Sequence, residues 1–137
     1  MFPKQNIHIL AIDDDPVNLF LIEKLVKKIC PDAKFLSSRN GEDGINQFKN
    51  NKVDLVFLDI QLPTIDGYQT AREIRQNNTT TGQRTPIIAL SGYAEEELKM
   101  NGDAQSMDYY LRKPIKIQSM EHIFTKFLTE EIKECCQ

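Results

Sequence analysis

Two runs of apolar residues each finish in acid. Ile7, Ile9, Leu10, Ala11 and Ile12 lead into Asp13 and Asp14, and Val53, Leu55, Val56, Phe57 and Leu58 lead into Asp59. Short, nearly continuous apolar runs predict strands buried on both faces, the pattern of a parallel sheet covered by helices. In an open sheet of that kind the carboxyl ends of the strands form the rim where ligands bind. Three acids on one rim predict a cation site. A third run over 86–90 stops at Ser91, and a fourth over 107–111 stops just before Lys113 and Pro114. The same rim therefore also receives a hydroxyl and an ammonium.

Between these runs the period changes from strand to helix and back, which predicts βαβ units. Asp15 followed by Pro16 reads as a helix N-cap with proline at the first helical position. Leu19, Ile22, Val26 and Ile29 then form an apolar face that ends near Cys30 and Pro31. A short strand is expected over 34–38 and a helix over 41–49 with Ile45 and Phe48 inward. Asp66-Gly67 punctuates a loop before a helix over 68–76, whose Ala71 and Ile74 share a face. The polar, Thr-rich stretch 77–84 is expected to be a flexible loop. Ala94 to Leu98 open a further helix with an acidic first turn, and Asn101-Gly102 breaks it. The last helix carries Ile117, Met120, Phe124, Phe127, Leu128 and Ile132 on one stripe. Five strands and five helices result.

Composition bounds the function. A chain of 137 residues is the size of one domain. A net charge of −3 provides no general attraction to nucleic acid or anionic lipid. The absence of a leader-like segment or membrane-length apolar run, with only Cys30, Cys135 and Cys136, leads us to expect a reducing, cytoplasmic setting. Cys30 reads as a helix-end residue, and no role is assigned to Cys135 and Cys136. His8 and His122 have no metal-ligating partner at useful spacing and read as structural or solvent-facing.

The set Asp13-Asp14, Asp59 within Leu58-Asp59-Ile60-Gln61-Leu62-Pro63-Thr64-Ile65-Asp66-Gly67, Ser91, and Tyr110 with Lys113-Pro114 resembles a two-component response-regulator receiver domain over about 6–130. Five separate segments agree in type, order and spacing. The resemblance implies a flavodoxin-like (βα)5 sandwich, a parallel sheet in the order 2-1-3-4-5, with the strands bearing Asp14 and Asp59 adjacent at the switch point.

Carboxylates crowded this closely titrate together and retain a proton unless a cation intervenes. Mg2+, or Mn2+ in its place, suits an all-oxygen site. The expected direct ligands are Asp14 and Asp59. The resemblance adds Asp13, acting through a metal-bound water, and the backbone carbonyl of Gln61. It implies that Asp59 is the phosphoacceptor, attacking the phosphohistidine of a histidine kinase or histidine phosphotransfer protein. Lys113 then pairs with Asp59 before transfer and with a phosphoryl oxygen afterwards, while Ser91 donates to another oxygen. Tyr110 is implied to be the switch aromatic that reports this to the output face.

Some residues depart from the common pattern. Ser91 stands where threonine is more usual, and it lacks the methyl that restricts the rotamer. Ser106 stands where glycine is frequent, which with Asn101-Gly102 bears on the preceding helix. Tyr93 is positioned to shield an acyl phosphate and Gln61 to orient or block water, so both are expected to tune dephosphorylation, which should be slow. The alternatives are a docking receiver independent of phosphorylation and an aspartyl-nucleophile phosphohydrolase. The latter wants an acid where Gln61 stands. A flavin carrier is disfavoured by the acids after the first strand. Only 24 residues follow Lys113, so output is expected through an unknown downstream protein, from a stand-alone regulator or a domain of a hybrid kinase. A phosphorylation-linked homodimer through the last two helices is left open.

Overall fold

The computed structural model describes residues 6–62, 65–81, 84–92 and 106–128. Five parallel strands form one sheet: β1 (His8–Ile12), β2 (Lys34–Ser38), β3 (Leu55–Asp59), β4 (Ile87–Ser91) and β5 (Tyr109–Arg112). Their order is β2-β1-β3-β4-β5, as expected, so β1 and β3 lie side by side. The register sets Ile9 opposite Leu55 and Ile12 opposite Leu58, which delivers Asp13 and Asp59 to the same rim.

Four helices are present among the described residues: α1 (Pro16–Ile29), α2 (Gly41–Asn50), α3 (Gly67–Thr81) and α4 (Ile117–Leu128). Alternate residues of the apolar strands feed two cores, one on each face of the sheet. Ile9, Ala11, Leu55, Phe57, Ile88 and Leu90 meet Leu19, Ile22 and Val26 of α1 and Met120, Ile123, Phe124 and Leu128 of α4. On the other face, Leu10, Ile12, Val56, Leu58, Ile87 and Ala89 meet Ile45 of α2 and Ala71 and Ile74 of α3.

Two expectations need correction. The stretch 77–84 is not all loop, because α3 continues to Thr81. Its polar side chains bond in ways a helix permits: the Asn77 side-chain amide donates to the Glu73 carbonyl one turn back at 3.0 Å, and Asn78 Oδ1 accepts from Arg75 at 2.8 Å. In α4 the buried stripe includes Ile123, whereas Ile117 and Phe127 are only half-buried. Phe127 still packs against this core from its margin, its ring toward Tyr109 with centroids 6.2 Å apart. The helix expected from Ala94, together with Tyr93, Asn101-Gly102, Ile132, Cys135 and Cys136, lies outside the described residues.

The end of the sheet opposite the acidic rim is clasped by Arg75. Its guanidinium donates to the Ser106 carbonyl at 3.0 Å, the Thr85 carbonyl at 2.7 Å, Asn78 Oδ1 and the Asp108 carboxylate. Asp108 also accepts from Arg84 at 2.9 Å and from the Ile87 N–H at 2.8 Å. Buried Ser106 thus occupies its position with its carbonyl held. His8 is structural, as expected: its N–H donates to Asp54 Oδ2 at 2.8 Å and its ring bonds to the Asn6 carbonyl.

Candidate functional site

The acidic rim is built by one tight turn and one glycine. After β1, Asp15 caps α1 by accepting from the Val17 N–H at 2.9 Å, while its own N–H donates to Asp13 Oδ1 at 2.9 Å. The Asp13 N–H in turn donates to the Ser38 carbonyl at 3.0 Å, which anchors the end of β1 to β2. After β3, Asp66 caps α3 by accepting from the Gln69 N–H at 2.9 Å, and the Gly67 N–H donates to the Ile60 carbonyl at 2.8 Å. A Cβ on Gly67 would fall 2.5 Å from both the Asp59 carbonyl oxygen and the Ile60 Cα. Only glycine allows that close return of the chain beside Asp59.

This folding brings Asp13, Asp14 and Asp59 together, with one carboxylate oxygen of each within 4.8 Å of the others. Asp13 and Asp59 are buried and Asp14 is exposed. Lys113, just past β5, extends its ammonium to Asp59 Oδ2 at 2.9 Å and Asp13 Oδ2 at 3.1 Å. The Gln61 N–H donates to the other Asp59 oxygen at 3.0 Å. Burial pushes the Asp59 carboxyl above its ordinary 3.8, and nearby Asp13 adds to this, against the pull of Lys113 and the Gln61 N–H. Burial pulls the Lys113 ammonium down, but Asp59 and Asp13 together outweigh it and hold its pKa above 10.5.

Ser91 ends β4 and is buried, and its carbonyl accepts from the Lys113 N–H at 2.8 Å, so hydroxyl-bearing and ammonium-bearing residues are linked through the backbone. The Gln61 side chain is exposed. Tyr110 is half-buried against the core shared with α2 and α3. Sequence reasoning missed Asn18, which is buried and donates its side-chain amide to Asp13 Oδ2. Its only local signal was a polar residue on the first turn of α1, otherwise apolar on that side.

Three hard carboxylate donors at this separation fit a small divalent cation such as Mg2+, which needs one or two carboxylates and keeps several waters. A family model described as the response regulator receiver domain matches residues 9–125. The chain belongs to this receiver family. It is thus a signalling domain of two-component and phosphorelay systems.

The sensor histidine kinase GacS of Pseudomonas protegens is 35% identical to this receiver over 120 residues, which are 87% of this chain and 13% of that protein. The receiver therefore spans a small part of such a relative's length. The receiver domain of the sensor histidine kinase PA1611 of Pseudomonas aeruginosa, with a magnesium ion coordinated in its active site cleft, is 29% identical with a TM-score of 0.78, over 90% of this chain and 98% of that one. The Saccharomyces cerevisiae co-crystal of the histidine phosphotransfer protein Ypd1 with the receiver domain of Ssk1 contributes a fold match at 22% identity and a TM-score of 0.80, over 93% of this chain and 91% of that one. No helix among the described residues is long and apolar enough to cross a membrane.

Proposed function

We propose that this receiver takes a phosphoryl group from a phosphohistidine onto Asp59 and thereby changes which protein it binds. The observation that carries the reading is the convergence of Asp59 with two further carboxylates and the Lys113 ammonium on one rim. Asp14 and Asp59 would hold Mg2+ directly, with Asp13 through water and Gln61 through its carbonyl; Mn2+ has the same hard-oxygen preference. The cation supplies charge neutralisation for the crowded carboxylates and the incoming phosphoryl oxygens.

The remaining chemistry belongs to the chain. An Asp59 carboxylate oxygen attacks phosphorus, the phosphorus–nitrogen bond breaks, and the imidazole leaves with the bond pair, giving an acyl phosphate on Asp59. Lys113, already 2.9 Å from Asp59, transfers its hydrogen bond to a phosphoryl oxygen. The Ser91 hydroxyl takes another oxygen, and Tyr110 follows its movement. Because the phosphoryl group bonds one arrangement of Ser91 and Lys113 better than the other, it shifts their population. The chain turns over no external substrate beyond its own phosphorylation and slow loss of phosphate, tuned by Gln61 and Tyr93.

The donor is a histidine kinase or histidine phosphotransfer protein in the cytoplasm, and the output is a protein target. The donor must cover the rim, where the first turns of α1 expose Val17 (73%) and Phe20 (61%), large apolar side chains beside the acidic turn. These two residues are its proposed landing surface.

Acetyl phosphate with and without Mg2+, followed by intact mass, tests the reading. A Mg2+-dependent phosphoryl adduct on wild type and none on Asp59→Asn is expected. A folded, Mg2+-binding wild type that forms no adduct with acetyl phosphate or with a phosphorylated histidine phosphotransfer protein would favour the docking receiver.

A further inference from the structure

Asp13 has more hydrogen-bond partners than a buried carboxylate at a strand end requires. Its Oδ1 accepts from the Asp15 N–H, and its Oδ2 accepts from both the Asn18 amide and the Lys113 ammonium. A carboxylate has about four acceptor sites. Three are taken among the described residues, and the one left is on Oδ1. Without Asn18 a second site would open on Oδ2, and the carboxylate could turn about its own axis to present either oxygen to the cation.

Asn18 is well placed for this task. It lies three residues after the cap Asp15, on the first turn of α1, buried at 9% exposure. Its amide is neutral. A lysine or arginine in its place could donate to the same oxygen but would add a positive charge beside the cation and weaken it by direct repulsion. A hydrogen bond without charge orients Asp13 and leaves the electrostatic balance to Lys113. Asn18 also shares Oδ2 with Lys113, and Lys113 sits closer to Asp59 (2.9 Å) than to Asp13 (3.1 Å).

We infer that Asn18 is a positioning residue: it locks the Asp13 carboxylate so that a single oxygen faces the cation, and so sets the divalent-cation affinity of the receiver. The inference rests on the proposed use of the acidic rim as a cation site. Groups that orient metal-site carboxylates from behind are worth about 10-fold to 100-fold in affinity.

The test is Mg2+ titration by isothermal calorimetry on the full chain as wild type, Asn18→Ala and Asn18→Gln, with urea unfolding in the absence of metal to establish that each is folded. Ala and Gln both suit a helix interior. Asn18→Ala is expected to bind Mg2+ about 10-fold more weakly, with Asn18→Gln in between because it keeps the amide donor on a longer arm. The Asp15 amide resonance, which reports the Asp13 Oδ1 bond, should move in Asn18→Ala before any metal is added. A purely structural role would lower stability and leave Mg2+ affinity of the folded protein unchanged, and that result overturns the inference. Equal losses in Ala and Gln would assign the effect to packing and also overturn it. Failure of wild type itself to bind Mg2+ would remove the cation-site reading on which it stands.

Discussion

The Lys113 ammonium lies 2.9 Å from an Asp59 carboxylate oxygen, across 54 residues of chain. Asp13 shares the same ammonium, so two buried carboxylates rest on one cation. The pair is under-compensated, which is why burial leaves Asp59 with a raised pKa despite its partner.

That imbalance predicts the sign of a pH effect. With its folded pKa above 3.8, Asp59 holds its proton in the folded chain over a range where the unfolded chain has released it. The contribution of Asp59 to folded stability therefore falls as pH rises from about 3.8 through the folded value. Asp59→Asn should melt higher than wild type at pH 7 without divalent cation, and the gain should vanish below about 3.8. A gain independent of pH in thermal melts would point to packing instead.

Gly67→Ala should be costly, because the glycine is buried beside the core residues Ile60 and Tyr68. The added Cβ meets backbone atoms of Asp59 and Ile60, which cannot swing aside as a flexible side chain would. Urea unfolding should show a loss of about 1–3 kcal/mol. The adduct from acetyl phosphate should also form more slowly, because the strain bears directly on the acceptor residue.

Arg75→Lys should fail to replace arginine. One ammonium cannot reproduce a planar fork that reaches two carbonyls, an amide and a carboxylate. A loss of about 2–4 kcal/mol is expected in urea, with Mg2+ affinity unchanged because the clasp is at the opposite end of the sheet from the acids. A matched fall in Mg2+ affinity would tie the clasp to the site.

Val17→Asp and Phe20→Asp separate docking from chemistry. Both positions are exposed, so the fold should tolerate the change. Transfer from a phosphorylated histidine phosphotransfer protein should slow by about 10-fold, equivalent to about 1.4 kcal/mol of lost apolar contact, while labelling by acetyl phosphate stays at the wild-type rate. Equal slowing with both donors would place the effect in the site itself.

Much of this protein was legible in its residues because the decisive signals are local. Runs such as Leu55–Asp59 carry their own burial, and Asp15-Pro16 and Asp66-Gly67 mark helix starts through the chemistry of one or two positions. The parallel sheet then forces the acids at the ends of β1 and β3 onto one rim, so their meeting could be anticipated.

Contacts that neither the strand pattern nor the family resemblance implied were not legible. Nothing local in Arg75 announces that it will bind Ser106 and Asp108, and it is that clasp, with Asn78, which accompanies α3 through a polar stretch that reads as loop. Ile123 reaches the core because α4 lies across both α1 and the sheet, a packing choice that a single apolar stripe does not specify. Asn18 looked like an unremarkable polar residue until the turn after β1 brought its amide to Asp13. The sequence by itself determined which residues are apolar, which are acidic and, through Asp15-Pro16 and Asp66-Gly67, where two of the helices begin. Tertiary structure alone decided which oxygen meets which donor, since hydrogen-bond direction depends on how independently formed segments are set against one another.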